Sequence, residues 1–224
     1  MVNIYLLRHG ETVYNLEGKV QGWNDSPLTE KGKYQARCTG YGLRETLFYK
    51  AYSGDAERQI DTGKILMSQN YNPVEIIPDP SFREMCYGKY EDGSYEEMLG
   101  PLFELNNAPF SGYEGLYHFY NDIQIGRLLQ ENDETGTFEG IERVAQRFLK
   151  GIDKICEKDQ GNVLISTSSF AITTVLYKLF PDFVQPRLVE NASITVITYD
   201  GDYRLTDYNN TAYRKAGEEH FTSE

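Results

Sequence analysis

The chain is poor in cysteine, in histidine and in positive charge. Its 224 residues include three cysteines, three histidines and one tryptophan, and 22 basic residues stand against 34 acidic ones, for a formal net charge of −12. Cys38, Cys86 and Cys156 form no Cys-x-x-Cys pair and no disulfide or zinc spacing, which points to a reducing cytoplasm. So few histidines argue against a histidine-rich metal site, and the expectation is a protein without metal or other cofactor. The acidic balance disfavours nucleic acid and anionic membrane as partners, while leaving room for a local basic pocket that takes a phosphate. Long apolar runs are missing too: the opening one, Val2 to Leu7, is far too short for a signal peptide or a membrane span. Internal repeats and low-complexity linkers are absent, and the length fits one domain over 1–224. Composition leaves formation of a homo-oligomer open.

What is present begins at the front. The run Val2 to Leu7 ends abruptly in Arg8-His9-Gly10, the pattern of a buried strand delivering polar groups at its C-terminal end. Arg8 offers a fork of donors for an anion, His9 beside it is a candidate nucleophile or base, and Gly10 allows a tight turn or a close ligand. The same tripeptide also fits a simple turn with a surface arginine.

Further on, Thr12 to Asp25 reads as a polar loop and Thr29 as the N-cap of a helix carrying Ala36, Gly40, Leu43 and Leu47 on one stripe. Phe48 to Tyr52 is a short strand, Ala56 to Met67 a helix, and Val74 to Pro78 an extended segment. Tyr95 to Gly136 is the least regular part, rich in aromatic residues. It is read as an insertion (95–136) covering one end of the sheet, with Ile123 to Leu129 helical. Tyr90, Tyr95, Phe103 and the cluster Tyr113, Tyr117, Phe119 and Tyr120 would form its small core, or else line a pocket. Phe138 to Cys156 is the clearest amphipathic helix, Asn162 to Ser166 a buried strand, and Ala171 to Phe180 a helix stopped by Pro181. Ser193 to Asp200 and Tyr203 to Asp207 make a strand pair, and the last dozen residues read as a polar tail. Strands separated by helices predict an α/β sandwich with helices on both faces.

The stretch from Leu7 to Gly32 resembles the opening signature of the histidine phosphatase superfamily, which includes the phosphoglycerate mutases. Arg8-His9-Gly10-Glu11-Thr12, Asn15, Gly22-Trp23, Asp25, Pro27-Leu28-Thr29 and Gly32 carry the likeness. Ser53, Arg58 and Thr62 match the family's Ser-x-x-x-x-Arg-x-x-x-Thr pattern, with Gln59 standing where alanine is usual, at a position that mainly packs. Glu84 and Gly88 match its Glu-x-x-x-Gly segment. The resemblance implies a phosphoglycerate mutase-like, three-layer α/β/α sandwich around a mostly parallel sheet. It also implies a site in which His9 is the nucleophile, Glu84 the proton donor, and Arg8, Asn15 and Arg58 the ligands of a phosphoryl group. Glu11 would hold the loop, and Thr12 the turn. The expected activity is hydrolysis of a small phosphorylated molecule through a phosphohistidine.

One catalytic position departs from the pattern. The family carries a second histidine, in Val-Ser-His-Gly, where this chain reads Ser166-Thr167-Ser168-Ser169-Phe170. Ser168 falls on the histidine and Ser169 on its glycine. A serine hydroxyl donates one hydrogen bond but carries no positive charge, a loss of about 3 kcal/mol at a transferring phosphoryl group. Restoring histidine there should raise the rate tenfold or more. Independently of the family, Ser168 and Ser169 would place hydroxyls and helix amides around an anion, or simply cap the helix. A slow phosphatase, a non-catalytic phospho-ligand or partner-binding homologue, and an inactivated chain all fit the departure. A phosphoglycerate mutase-type phosphotransferase is a further alternative. His118 could supply the missing charge from the insertion, although its aromatic neighbours favour packing. Catalysis by Cys86 lacks a basic partner.

Overall fold

The computed structural model describes residues 1–105, 120–183 and 189–223, with the backbone alone for 103–105. The first half contains β1 (Val2–Arg8), α1 (Val13–Glu17), α2 (Glu30–Gly42), β2 (Phe48–Ser53), α3 (Glu57–Met67), β3 (Ile76–Pro78) and α4 (Tyr95–Leu105). The second half contains α5 (Asp122–Glu131), α6 (Ile141–Lys158), β4 (Gly161–Thr167), α7 (Ser169–Leu179), β5 (Ile194–Tyr199), β6 (Tyr203–Asn210) and α8 (Ala212–Thr222).

A strand apolar on both faces must be covered on both, and β1 is such a strand. Ile4 and Leu6 join Val163 and Ile165 of β4 in one core, under Phe148 and Ile152 of α6 and Ile172 and Leu176 of α7. Leu7 and Leu164 face the other way and meet Leu43, just past α2, and Leu66 and Met67 of α3. Burial of a side chain such as Phe148 contributes roughly 1.5–3 kcal/mol relative to leaving it exposed. The result is the expected three-layer α/β/α sandwich. Its six-stranded sheet runs β3-β2-β4-β1-β5-β6. The pairings β2–β3, β2–β4 and β1–β4 are parallel, whereas β5 pairs antiparallel with β1 and β6 antiparallel with β5.

Register then creates the site. Arg8 lies opposite Thr167, and Ser53 opposite Ser166, so β1, β4 and β2 end together. After β1 the chain turns to α2 on one face, and after β4 it enters α7 on the other. Such a divergence opens a crevice at the C-terminal ends of the strands, where open α/β sheets bind ligands.

Several elements differ from the sequence reading. The loop after His9 contains a helix of five residues, capped by Thr12, whose hydroxyl accepts the backbone N–H of Asn15. Gly140, at φ +77°, delays the start of α6 to Ile141, although Phe138 is buried before it. Leu47 is exposed and lies beyond the apolar stripe of α2. The supposed insertion includes α4 and α5; Tyr90 and Tyr120 pack against the core, whereas the Phe103 side chain, Tyr113, Tyr117, His118 and Phe119 fall outside the described residues.

The largest difference is the tail, which is the helix α8. Its partner is α2, where His220 stacks on Tyr41 at 4.1 Å and Arg37 lies over the Phe221 ring at 3.9 Å. Glycines let the two backbones meet: a Cβ on Gly217 would lie 2.2 Å from the Cys38 carbonyl oxygen, and one on Gly42 would lie 2.2 Å from that of Tyr213. Gly217→Ala is expected to cost about 1–3 kcal/mol by forcing the helices apart, read as a lower urea midpoint at an unchanged slope. Among the described residues no helix is long and apolar enough to cross a membrane.

Candidate active site

His9 follows β1 directly and is buried in the crevice. Its backbone is held from three sides: its N–H donates to the Thr167 carbonyl at 2.9 Å, and its carbonyl accepts from the Asn191 side chain at 2.9 Å and from the Ala192 N–H at 3.3 Å. Nδ1 lies 2.8 Å from the Gly10 carbonyl oxygen. That oxygen can only accept, so the proton belongs on Nδ1 and the Nε2 lone pair is left for chemistry. Burial, then the charges of Arg58 and Arg8, hold the imidazole pKa well below its usual value. His9 is therefore neutral near pH 7, the state a nucleophile requires. Gly10 is required by space, because a Cβ there would meet the Gly32 carbonyl oxygen at 2.4 Å. Its N–H donates to the Thr62 hydroxyl at 3.1 Å, and that hydroxyl donates to the Arg58 carbonyl at 2.6 Å. Thr62 thus ties α3 to the turn after β1.

The two arginines flank His9 but are not equally available. A terminal nitrogen of Arg8 donates to the Val189 carbonyl, and Nε of Arg8 is buried without a hydrogen-bond partner. Arg58 is buried and holds the loop that precedes α2. Its Nη1 donates to Asp25 and to the Asn24 carbonyl, both at 2.9 Å, and Nη2 donates to the Gly22 carbonyl at 2.7 Å. Only Nε of Arg58 lacks a partner. Buried guanidinium donors without partners are costly, about 1–3 kcal/mol each, and they suit a site built for an anion. Asn15 Oδ1 accepts the Thr12 N–H at 3.2 Å and the Asn191 side chain at 3.3 Å, which leaves its amide nitrogen as a neutral donor without a partner among the described residues. Glu11 accepts from the Thr29 hydroxyl at 2.9 Å and from Lys31 at 2.7 Å, so it secures the loop.

Glu84 is buried against the start of α7. One oxygen accepts the Met85 N–H at 2.7 Å, the other the Phe170 N–H at 2.9 Å in the first turn of α7. The anion seated at that helix N-terminus is thus the protein's own carboxylate. Burial raises the Glu84 pKa, against the pull of the two amides and of Arg58 and Arg147. Ser168 is the N-cap residue of α7, yet its hydroxyl makes no capping bond. Instead its Oγ accepts from Nε2 of Gln59 at 2.8 Å. Ser169 is the first residue of α7 and half-buried.

Three residues escaped the sequence reading. Gln59 does more than pack: fully buried, it reaches into the site and touches Ser168. Arg147 of α6 looked like one surface charge among many. Its guanidinium donates to the carbonyls of Ser81, Arg83 and Glu84 at 3.0, 2.8 and 2.7 Å while gripping Glu139, and so fixes the segment that carries Glu84. The Glu91 carboxylate accepts the N–H groups of Gly22, Trp23, Asn24 and Tyr87, binding the Trp23 loop to the Glu84 loop. No sequence signal separates such residues from solvated charges. Burial holds the Cys86 thiol above its usual pKa, which argues against a reactive thiolate. His220 lies in α8, stacked on Tyr41. The described residues contain no cluster of metal-ligating side chains.

Comparison with known proteins identifies the family. Residues 4–211 match the family described as the histidine phosphatase superfamily (branch 1), and the chain belongs to it. Over 198 residues it is 30% identical to a 2,3-bisphosphoglycerate-dependent phosphoglycerate mutase 2 from Gloeobacter violaceus, covering 87% of this chain and 82% of the relative. It is 26% identical over 198 residues to a metal-independent phosphoserine phosphatase from Arabidopsis thaliana, covering 88% and 76%. The crystal structure of a phosphoglycerate mutase from Bacillus anthracis superposes with a TM-score of 0.88 at 30% identity, over 97% of this chain and 96% of that one.

Proposed function

We propose that the chain hydrolyses small phosphomonoesters through a phosphohistidine at residue 9. The observation that carries this reading is the His9 imidazole, neutral and fixed by Gly10 so that Nε2 is free, between two arginines that each keep a buried donor. In the first step Nε2 attacks phosphorus, the ester P–O bond breaks, and Glu84 gives its proton to the departing oxygen. In the second, water attacks phosphorus, the P–N bond to Nε2 breaks, and a proton of the water passes back to Glu84 as phosphate leaves. Arg8 Nε, Arg58 Nε, the Asn15 amide and the hydroxyls of Ser168 and Ser169 hold the phosphoryl oxygens, which is most of what such a transfer asks of a protein. The acidic surface and the absence of a charged second histidine fit a slow enzyme for a small metabolite.

The pH dependence follows from the two shifts. Catalysis needs His9 neutral and Glu84 protonated. A lowered His9 pKa moves the acid limb down, and a raised Glu84 pKa holds the alkaline limb above the ordinary carboxylate range. Bound phosphate raises Glu84 further by like charge. Turnover of a phosphomonoester panel is therefore expected to peak on the acid side of neutrality and to fall as pH rises. Glu84→Gln should remove the alkaline limb and lower kcat by about 10²–10⁴-fold for alkyl phosphates. An alkaline limb that survives in Glu84→Gln would remove Glu84 from the role of acid.

The phosphoglycerate mutases among the similar proteins favour one other reading, transfer of the phosphoryl group between positions of a phosphoglycerate. Phosphorylated primer separates the readings, because isomerisation that depends on it requires a mutase. The departure at Ser168 motivates a third reading, a non-catalytic phospho-ligand binder, which would bind phosphate without ever carrying it on His9.

A further inference from the structure

Two of the positions at which this site leaves its family's pattern, Gln59 and Ser168, are in contact. Both side chains are buried, and the Gln59 amide donates to Ser168 Oγ at 2.8 Å. An oxygen that accepts an N–H must aim its own hydrogen elsewhere, and no acceptor for the Ser168 hydroxyl exists among the described residues. Ser168 sits one residue past Thr167, which lies opposite Arg8 in the sheet, so the residue stands at the strand ends where the crevice that holds His9 opens. The far oxygen of the amide, Oε1, has no partner and lies where a Cβ on Gly54 would be, at 2.0 Å. Gly54 thus makes the space in which this glutamine lies.

We infer that Gln59 is a positioning residue that fixes Ser168 as a hydrogen-bond donor to the phosphoryl oxygen, the two acting as one unit in place of the second histidine. The inference rests on the phosphoryl chemistry proposed for His9. It also changes what restoring the histidine should do. An imidazole on the Ser168 rotamer would put its Cγ at the Oγ position, 2.8 Å from the Gln59 nitrogen and inside the contact distance of about 3.5 Å. Ser168→His should then bring no gain alone, and the gain should appear only with Gln59→Ala.

The test is a double-mutant cycle with p-nitrophenyl phosphate, whose leaving group needs little help from an acid. Ser168→Ala should lower kcat by about tenfold or more. Gln59→Met, which keeps the volume and removes the amide, should lower kcat with KM nearly unchanged, and the double variant should be no slower than Ser168→Ala. Gln59→Glu should be worse than Gln59→Met, because a carboxylate only accepts and would draw the serine proton away from the phosphoryl group. Ser168→His combined with Gln59→Ala should exceed wild type by about tenfold. Full activity in Gln59→Met, losses that simply multiply, or a gain from Ser168→His alone would overturn the inference. If wild type turns over no better than His9→Ala, the hydrolase reading fails by itself. The cycle is then read as affinity for orthovanadate by calorimetry, where coupled losses support the pair and independent losses reject it.

Discussion

His9→Ala is expected to lower phosphatase turnover by at least about 10⁴-fold, because the nucleophile of a two-step transfer has no substitute in the site. Ser168 and Ser169 are unactivated hydroxyls, and burial keeps the Cys86 thiol protonated. Steady-state rates on any substrate that wild type accepts measure the loss. The same variant carries a stability signature. The imidazole pKa is lowered in the folded chain, so below about pH 6.5 the unfolded state takes up a proton that the folded state refuses. Wild type should accordingly lose stability as pH falls through that window, and His9→Ala should lose less. Urea midpoints at neutral and acid pH read the difference. Equal acid sensitivity would mean that His9 is not held neutral.

The second large effect is expected at Arg58. Its terminal nitrogens hold Gly22, Asn24 and Asp25, and Nε is buried without a partner. Arg58→Met should therefore fail twice. Loss of a charged donor lowers turnover by about 10²–10³-fold. Stability falls by about 2 kcal/mol, below the 3–5 kcal/mol typical of a broken buried pair because Asp25 is partly exposed. Arg58→Lys should rescue little of either, since a single ammonium cannot span three acceptors and the site. Chemical denaturation and steady-state kinetics on the same preparations measure both. Full activity with reduced stability would confine Arg58 to holding the loop.

The parts of the molecule legible in the sequence are those written locally. A buried strand ending in Arg8-His9-Gly10 announced β1 and the crevice, and hydrophobic periodicity found α3, α6 and α7. What stayed hidden depends on contacts distant in sequence. The helix α8 looked like a polar tail because its partner surface, around Cys38 and Gly42, lies far back in the chain, and glycines rather than large apolar residues make the fit. Arg147 and Glu91 carry no mark of burial in their own neighbourhoods, yet they bind the loops that hold Glu84 and Trp23. Gln59 was read as packing because one residue exchanged for a larger one looks like filler. Only the fold shows that its amide meets Ser168, which stands in place of the second histidine.

The account stands on phosphate passing through the ring of residue 9. The direct measurement is a rapid quench of the protein with a labelled phosphomonoester, followed by peptide mapping under alkaline conditions, where phosphohistidine survives. One acid-labile phosphoryl group on the peptide containing His9, absent from His9→Ala, is the expected result. Turnover with no label on that peptide, or with label on another residue, would contradict it.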